Sequence, residues 1–199
     1  MKKLKFFYLL SMIFFLVTSC EKDQLPDPPD QPVNNFKTIA VVPDIHYMHP
    51  DLLPGDVTAS PSLMEYLGLD RKLLEISDPI FRKVYSELIE EKPDILLIPG
   101  DLTKDGELMS HEVMANLLQD LENAGIKVYV IPGNNDIDNP DALSYVTEPP
   151  VPVENIDADD FAEIYGNFGY NEALYRDENS LSYICQPYSN LWILGIDNN

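Results

Sequence analysis

Asp94-Ile95-Leu96-Leu97-Ile98-Pro99-Gly100-Asp101-Leu102-Thr103 is the stretch from which the fold can be read. Four apolar residues in a row, closed by Pro-Gly-Asp, describe a short strand buried on both faces that ends in a turn. The same grammar occurs on either side of it. Residues 38–43 form a β-branched, apolar run that ends at Asp44-Ile45-His46, and residues 127–131 form another that ends at Gly133-Asn134-Asn135-Asp136.

Helices are predicted between these strands. Asp78-Pro79 reads as an N-cap with proline at the first helical position, and Ile80, Val84 and Leu88, flanked by Phe81 and Ile89, form an apolar stripe that stops by Pro93. A second helix is expected over 107–124, with Met109, Val113, Leu117 and Leu121 on its core face and Gly125 as terminator. Strand, helix, strand, helix, strand implies right-handed crossovers and a mostly parallel sheet with helices on its faces, an α/β fold. Further on, 138–155 reads as a proline-punctuated loop and 157–168 as a helix. Residues 181–186 and 191–196 read as a hairpin. The segment 51–77 reads as irregular. Asp157-Ala158-Asp159-Asp160 reads as a helix N-terminus favoured by the dipole.

The amino-terminal residues read as a targeting segment. Lys2, Lys3 and Lys5 precede an apolar run from Phe6 to Val17, shorter than the roughly 20 residues a membrane span needs. Val17-Thr18-Ser19-Cys20 has the form of a lipobox, with Cys20 the lipidated residue. The expected organisation is a leader over 1–19, a proline-rich tether over 20–36 and a globular domain over 37–199. The expected location is the cell envelope, lipid-anchored to the outer membrane. Cys185 is then the lone remaining cysteine, expected as a buried inert thiol in a strand, and no internal disulfide is available.

The chain carries 13 Lys plus Arg against 34 Asp plus Glu. So acidic a balance argues against a nucleic-acid backbone as an obligatory partner. It favours solubility and the attraction of cations.

In an open parallel sheet the carboxyl ends of the strands share one edge, and ligands bind there. Three segments therefore deliver Asp44, His46, Asp101 and Asn134 to that edge, an oxygen-rich set with one imidazole that suits Mn, Fe or Zn. The order Asp-x-His, Gly-Asp-Leu-Thr, Gly-Asn-x-Asp resembles the calcineurin-like metallophosphoesterase superfamily, over about residues 39–199. That resemblance implies a sandwich built on the mostly parallel sheet. It implies two divalent metal ions, with Asp44 and His46 on the first, Asp101 bridging and Asn134 on the second. It also implies metal-dependent hydrolysis of phosphate esters by an activated hydroxide attacking in line.

Asn135 and Asp136 are the catalytic candidates. Asn135 stands where the family pattern has a histidine, and asparagine cannot supply a titrating proton, a loss worth roughly 10²–10⁴ in rate where general acid help is needed. The family's later histidine ligands have no counterpart among His46, His49 and His111. The domain is therefore expected to be incomplete at its carboxyl end and its second ion weakly held. The alternative is a non-catalytic, surface-anchored binding protein of the same fold. His111 is expected on a solvated helix face and His49 in a plain loop. Tyr47 is expected either over the site or over the sheet edge, while Thr103 and Asp105 turn the chain into the second helix.

Overall fold

The computed structural model describes residues 36–199. The leader, Cys20 and the tether up to residue 35 lie outside the described residues. Within the domain, β1 (Ile39–Val41), β2 (Ile95–Pro99) and β3 (Lys127–Ile131) form a parallel sheet in the order β1-β2-β3, with Ile39 opposite Ile95 and Ile95 opposite Lys127. Ile95, Leu96, Ile98, Val128 and Val130 are buried, as a doubly covered strand requires. β1 departs from the expectation of burial on both faces. Ile39 is 47% and Val41 56% exposed; at i and i+2 they share one face, and that face is left uncovered at β1.

Three of the helices were anticipated in kind. Counting α1 (Pro61–Leu69) first, they are α2 (Ser77–Glu91), α3 (Leu108–Asn123) and α4 (Ala158–Ile164). α2 begins one residue before the expected cap. Asp78 sits in its first turn, where its carboxylate takes Arg82 Nε and the Tyr47 hydroxyl at 2.9 Å each. Gly125 follows α3 at φ +94°, a conformation that suits glycine. Asp157 and Asp160 form a reciprocal capping box at the start of α4, but the helix ends at Ile164 and a wide turn over Gly166–Tyr170 follows it.

α1 itself was not anticipated. Ser60 caps it by accepting from Leu63 N at 3.3 Å, and Pro61 opens it, so the local Ser-Pro signal was present inside a segment without clear periodicity. The expected loop 138–155 contains a small antiparallel pair, β4 (Leu143–Ser144) with β5 (Val151–Pro152). A second sheet joins β6 (Tyr175–Arg176), β7 (Tyr183–Tyr188) and β8 (Leu191–Gly195), all antiparallel, which includes the expected hairpin. Tyr183 fastens it to the first sheet by donating from its hydroxyl to the Val130 carbonyl at 2.8 Å. Cys185 is buried, as expected.

α3 turns a different face inward from the one expected. Ser110, His111, Met114, Leu118 and Leu121 are buried, whereas Met109 is 38% exposed. His111, expected in solvent, is fully buried. Its edge meets Phe161 and Tyr165, and partners for both ring nitrogens make that burial affordable.

Candidate functional site

Three loops leave the carboxyl ends of β1, β2 and β3, and backbone hydrogen bonds tie the first two together. Asp44 N donates to Gly100 O, His46 N to Asp101 O, Tyr47 N to Leu102 O and Lys104 N to Tyr47 O, at 2.9–3.3 Å. Asp44 and His46 are thereby brought beside Asp101. Each of the three offers a ligand atom within 4.8 Å of the others. His46 Nε2 stands 3.7 Å from Asp101 Oδ2, and their side chains are 18% and 15% exposed.

The backbone at these residues is unusual. Asp44, His46 and Asp101 have φ of +51°, +46° and +52°, and Gly100 between the loops has +96°. Non-glycine residues at positive φ are uncommon, and such strain concentrates where surrounding structure holds side chains for a task.

The β3 loop is joined by close approach and by one buried carboxylate. A Cβ on Gly133 would run into the Asp101 carboxylate and backbone nitrogen, so only glycine lets these loops meet. Asp136 is fully buried. Its Oδ2 accepts from Gly133 N at 2.8 Å and Leu102 N at 3.1 Å. Its Oδ1 accepts from Thr103 N at 2.9 Å and the Thr103 hydroxyl at 3.0 Å. Burial pushes this carboxyl up to about 6, against the opposing pull of those donors. With four protein donors and no exposure, Asp136 holds two loops together. Every one of those donors belongs to the β2 or β3 loop, the arrangement of a positioning residue.

Asn135 also turns toward the protein. Its backbone N donates to Asp101 Oδ1 at 3.1 Å and its side-chain amide to Asp101 Oδ2 at 2.9 Å, so it steadies the central carboxylate. Asn134 is exposed on the same turn, between Gly133 and Asn135.

The donor set fits a divalent cation. Two carboxylates and an imidazole converge, and borderline-hard ions take oxygen and imidazole donors of this kind. His46 Nδ1 is buried without a hydrogen-bond partner. Desolvation lowers the His46 pKa, and the charge of Lys72 lowers it further, so the ring is kept in the neutral form that a metal needs.

The other histidines are accounted for elsewhere. His49 lies in a loop, as expected, and its Nδ1 accepts from Asp51 N at 3.1 Å. His111 Nε2 meets the Asp136 backbone carbonyl at 2.9 Å, an acceptor only, so Nε2 carries the proton and Nδ1 accepts from the Tyr165 hydroxyl at 2.7 Å. Burial holds this ring's pKa down to about 4. Tyr47 is fully buried, with its ring edge-on to Phe81 and its hydroxyl donating to Asp78 Oδ1. The Thr103 hydroxyl accepts from Gly106 N at 3.1 Å, which makes the turn into α3.

A cleft of about 470 Å³ opens beside Asp44 and His46, walled by residues 70–73 and by Ile80, Phe81 and Val84 of α2. Sequence reasoning passed over its cations, Arg71 and Lys72. The available signal was the pairing of two bases in a chain so poor in them.

The family model for calcineurin-like phosphoesterases matches residues 37–194. The chain belongs to that family. A protein from Ruthia magnifica subsp. Calyptogena magnifica, described as a probable cyclic nucleotide phosphodiesterase, is 40% identical over 58 residues. That match takes in 29% of this chain and 24% of the relative, so the chain spans about a quarter of the relative's length there.

Proposed function

We propose that this calcineurin-like protein hydrolyses phosphate esters with two divalent metal ions, Mn, Fe or Zn. Asp44 and His46 would hold the first ion, Asp101 would lie between the two, and Asn134 would serve the second. The observation that carries this reading is the convergence of Asp44, His46 and Asp101 within 4.8 Å, each at positive φ. Family membership and the phosphodiesterase name of the relative support ester hydrolysis.

When bound, the ions would supply Lewis-acid polarisation of the phosphoryl oxygens and a more acidic water. The chain's own residues do the positioning. Asp101 presents two carboxylate oxygens whose direction is set by both donors of Asn135. Neutral His46 presents an imidazole nitrogen, and Asp136 keeps the β2 and β3 loops at one spacing. Asn135 contributes hydrogen bonds and no titrating proton, so leaving-group quality should matter: nitrophenyl phosphates should turn over faster than alkyl phosphates. We further propose the leader over 1–19, lipidation at Cys20 and an envelope location, on the strength of the lipobox pattern.

The deciding experiment is Asp101→Asn. Asparagine tolerates positive φ, so the exchange removes charge while sparing the backbone. Hydrolysis of p-nitrophenyl phosphate should fall at least a hundred-fold and calorimetric Mn²⁺ binding should be lost, with thermal unfolding little changed. Retention of both hydrolysis and Mn²⁺ binding would refute the assignment.

A further inference from the structure

Lys72 occupies a place that the metal cluster does not explain. It lies in the short connection between α1 and α2, and it lines the same cleft as Asp44 and His46. The connection is fixed locally: Asp70 Oδ1 accepts from Lys72 N at 3.1 Å, and the Lys72 ammonium donates to the Tyr66 hydroxyl at 3.3 Å. The nearest carboxylate to that ammonium, Asp70, is 3.7 Å away, an ion pair without a hydrogen bond. The Lys72 side chain is only 14% exposed. This lysine is therefore held in place and largely dehydrated, with donor capacity to spare.

Its sign is the informative feature. In a chain with 13 bases and 34 acids, a cation has been placed in the wall of the cleft that Asp44 and His46 also line. A positive charge there opposes the binding of metal ions, so the metal cluster gives no reason for it. An anion in the cleft does. Beside Lys72 the wall becomes apolar: Leu73 is 55% and Ile80 44% exposed, both lining the cleft. A cation next to exposed aliphatic side chains suits a ligand with a charged end and an apolar body.

We infer that Lys72 is a substrate contact, its ammonium holding phosphate oxygens of an ester whose apolar or aromatic organic group lies on Leu73 and Ile80. The inference rests on the proposed phosphoesterase reading and specifies its substrate class. It assigns two separable roles, charge recognition to Lys72 and recognition of the organic group to Ile80.

The test uses the full chain loaded with Mn²⁺, with p-nitrophenyl phosphate as substrate and inorganic phosphate as competing anion. Lys72→Met should raise KM for the ester and the inhibition constant for phosphate together, each about ten-fold, the scale of one charge-assisted hydrogen bond. Mn²⁺ affinity should hold or increase, because a repelling charge has gone. Lys72→Arg should restore both constants to within about three-fold. Ile80→Ser should raise KM for the aryl ester and leave phosphate inhibition unchanged. An unchanged KM and phosphate constant in Lys72→Met, with only a lower melting temperature, would assign Lys72 to holding its loop and overturn the inference. If the wild-type chain hydrolyses nothing, calorimetric phosphate binding separates the two ideas. Binding that Lys72→Met weakens upholds the contact while rejecting the enzyme, and no binding to the wild type overturns the contact as well.

Discussion

A side chain at Gly133 would have to occupy the space that Asp101 fills, whereas one at Gly125 would meet nothing within 4 Å. Gly133→Ala should therefore push Asp101 out of line and weaken Mn²⁺ binding at least ten-fold by calorimetry. Gly125→Ala, at φ +94°, should cost about 1 kcal/mol of stability and leave Mn²⁺ binding intact. Equal losses of metal binding in both would remove close approach as the reason for Gly133. His111 permits a prediction in pH. Its pKa is about 4 when folded and 6.5 in the ordinary case. Between those values the unfolded chain binds more protons, so the stability that His111 contributes is present above about 6.5 and lost as pH falls to about 4. Asp136, raised from 3.8 to about 6, works the other way, since its folded form binds protons more readily in that window. His111→Gln removes only the first effect. The stability gap between wild type and His111→Gln in urea should shrink by about 3 kcal/mol from pH 7 to pH 4. A gap constant across that range would show that His111 does not titrate as its burial requires.

The elements best read from sequence were those whose signal is local. β2 and β3 announce themselves as unbroken apolar runs, and α2 and α3 by apolar spacing between them. Asp44, His46 and Asp101 were legible because a parallel sheet sends its strand ends to one edge, a consequence of topology. The rest depended on partners far along the chain. The inward face of α3 was misread because histidine scores as polar, while the groups that satisfy His111 come from Asp136 and Tyr165, 25 and 54 residues away. Likewise nothing local shows that Leu102 and Thr103 of another loop will bond the Asp136 carboxylate. That arrangement carries its own prediction. Asp136→Asn keeps the size but turns an N–H₂ toward at least one pair of buried N–H donors, leaving them unpaired. Chemical unfolding should show a loss of about 2–3 kcal/mol. Mn²⁺ affinity should fall with it, because the β2 and β3 loops lose their common anchor. A variant as stable as wild type would mean that the turn is held by Gly133 packing alone.

Across the described domain, the interior holds two apolar clusters and a buried set of charges. The larger cluster lies between the sheets and under α3 and α4; the smaller gathers Met48, Leu52, Leu63, Leu74 and Tyr145 beneath α1 and the β4–β5 pair. Lys104, fully buried three residues after Asp101, lies against the smaller cluster. It pairs with Asp105, stands 3.8 Å from Glu107, and donates to the Asp141 carbonyl at 3.2 Å. The rings of Tyr66 and Tyr145 lie 4.8 and 5.5 Å from its ammonium. One Glu107 oxygen is left without a partner, and desolvation raises the Glu107 pKa. Such a cluster stabilises little by existing, because desolvation offsets much of the attraction, but removing one member leaves the others uncompensated. Lys104→Met should thus cost about 3–5 kcal/mol in urea unfolding. Adding Asp105→Asn and Glu107→Gln to that variant should recover part of the loss, since the stranded negative charges go with them. Because these charges are dry, raising the salt from roughly 0.05 M to about 1 M should leave the penalty nearly unchanged, whereas an exposed pair such as Lys83 with Glu87 would be screened. A Lys104→Met penalty that vanishes in high salt, or that the two added neutral replacements deepen, would place the ammonium in water.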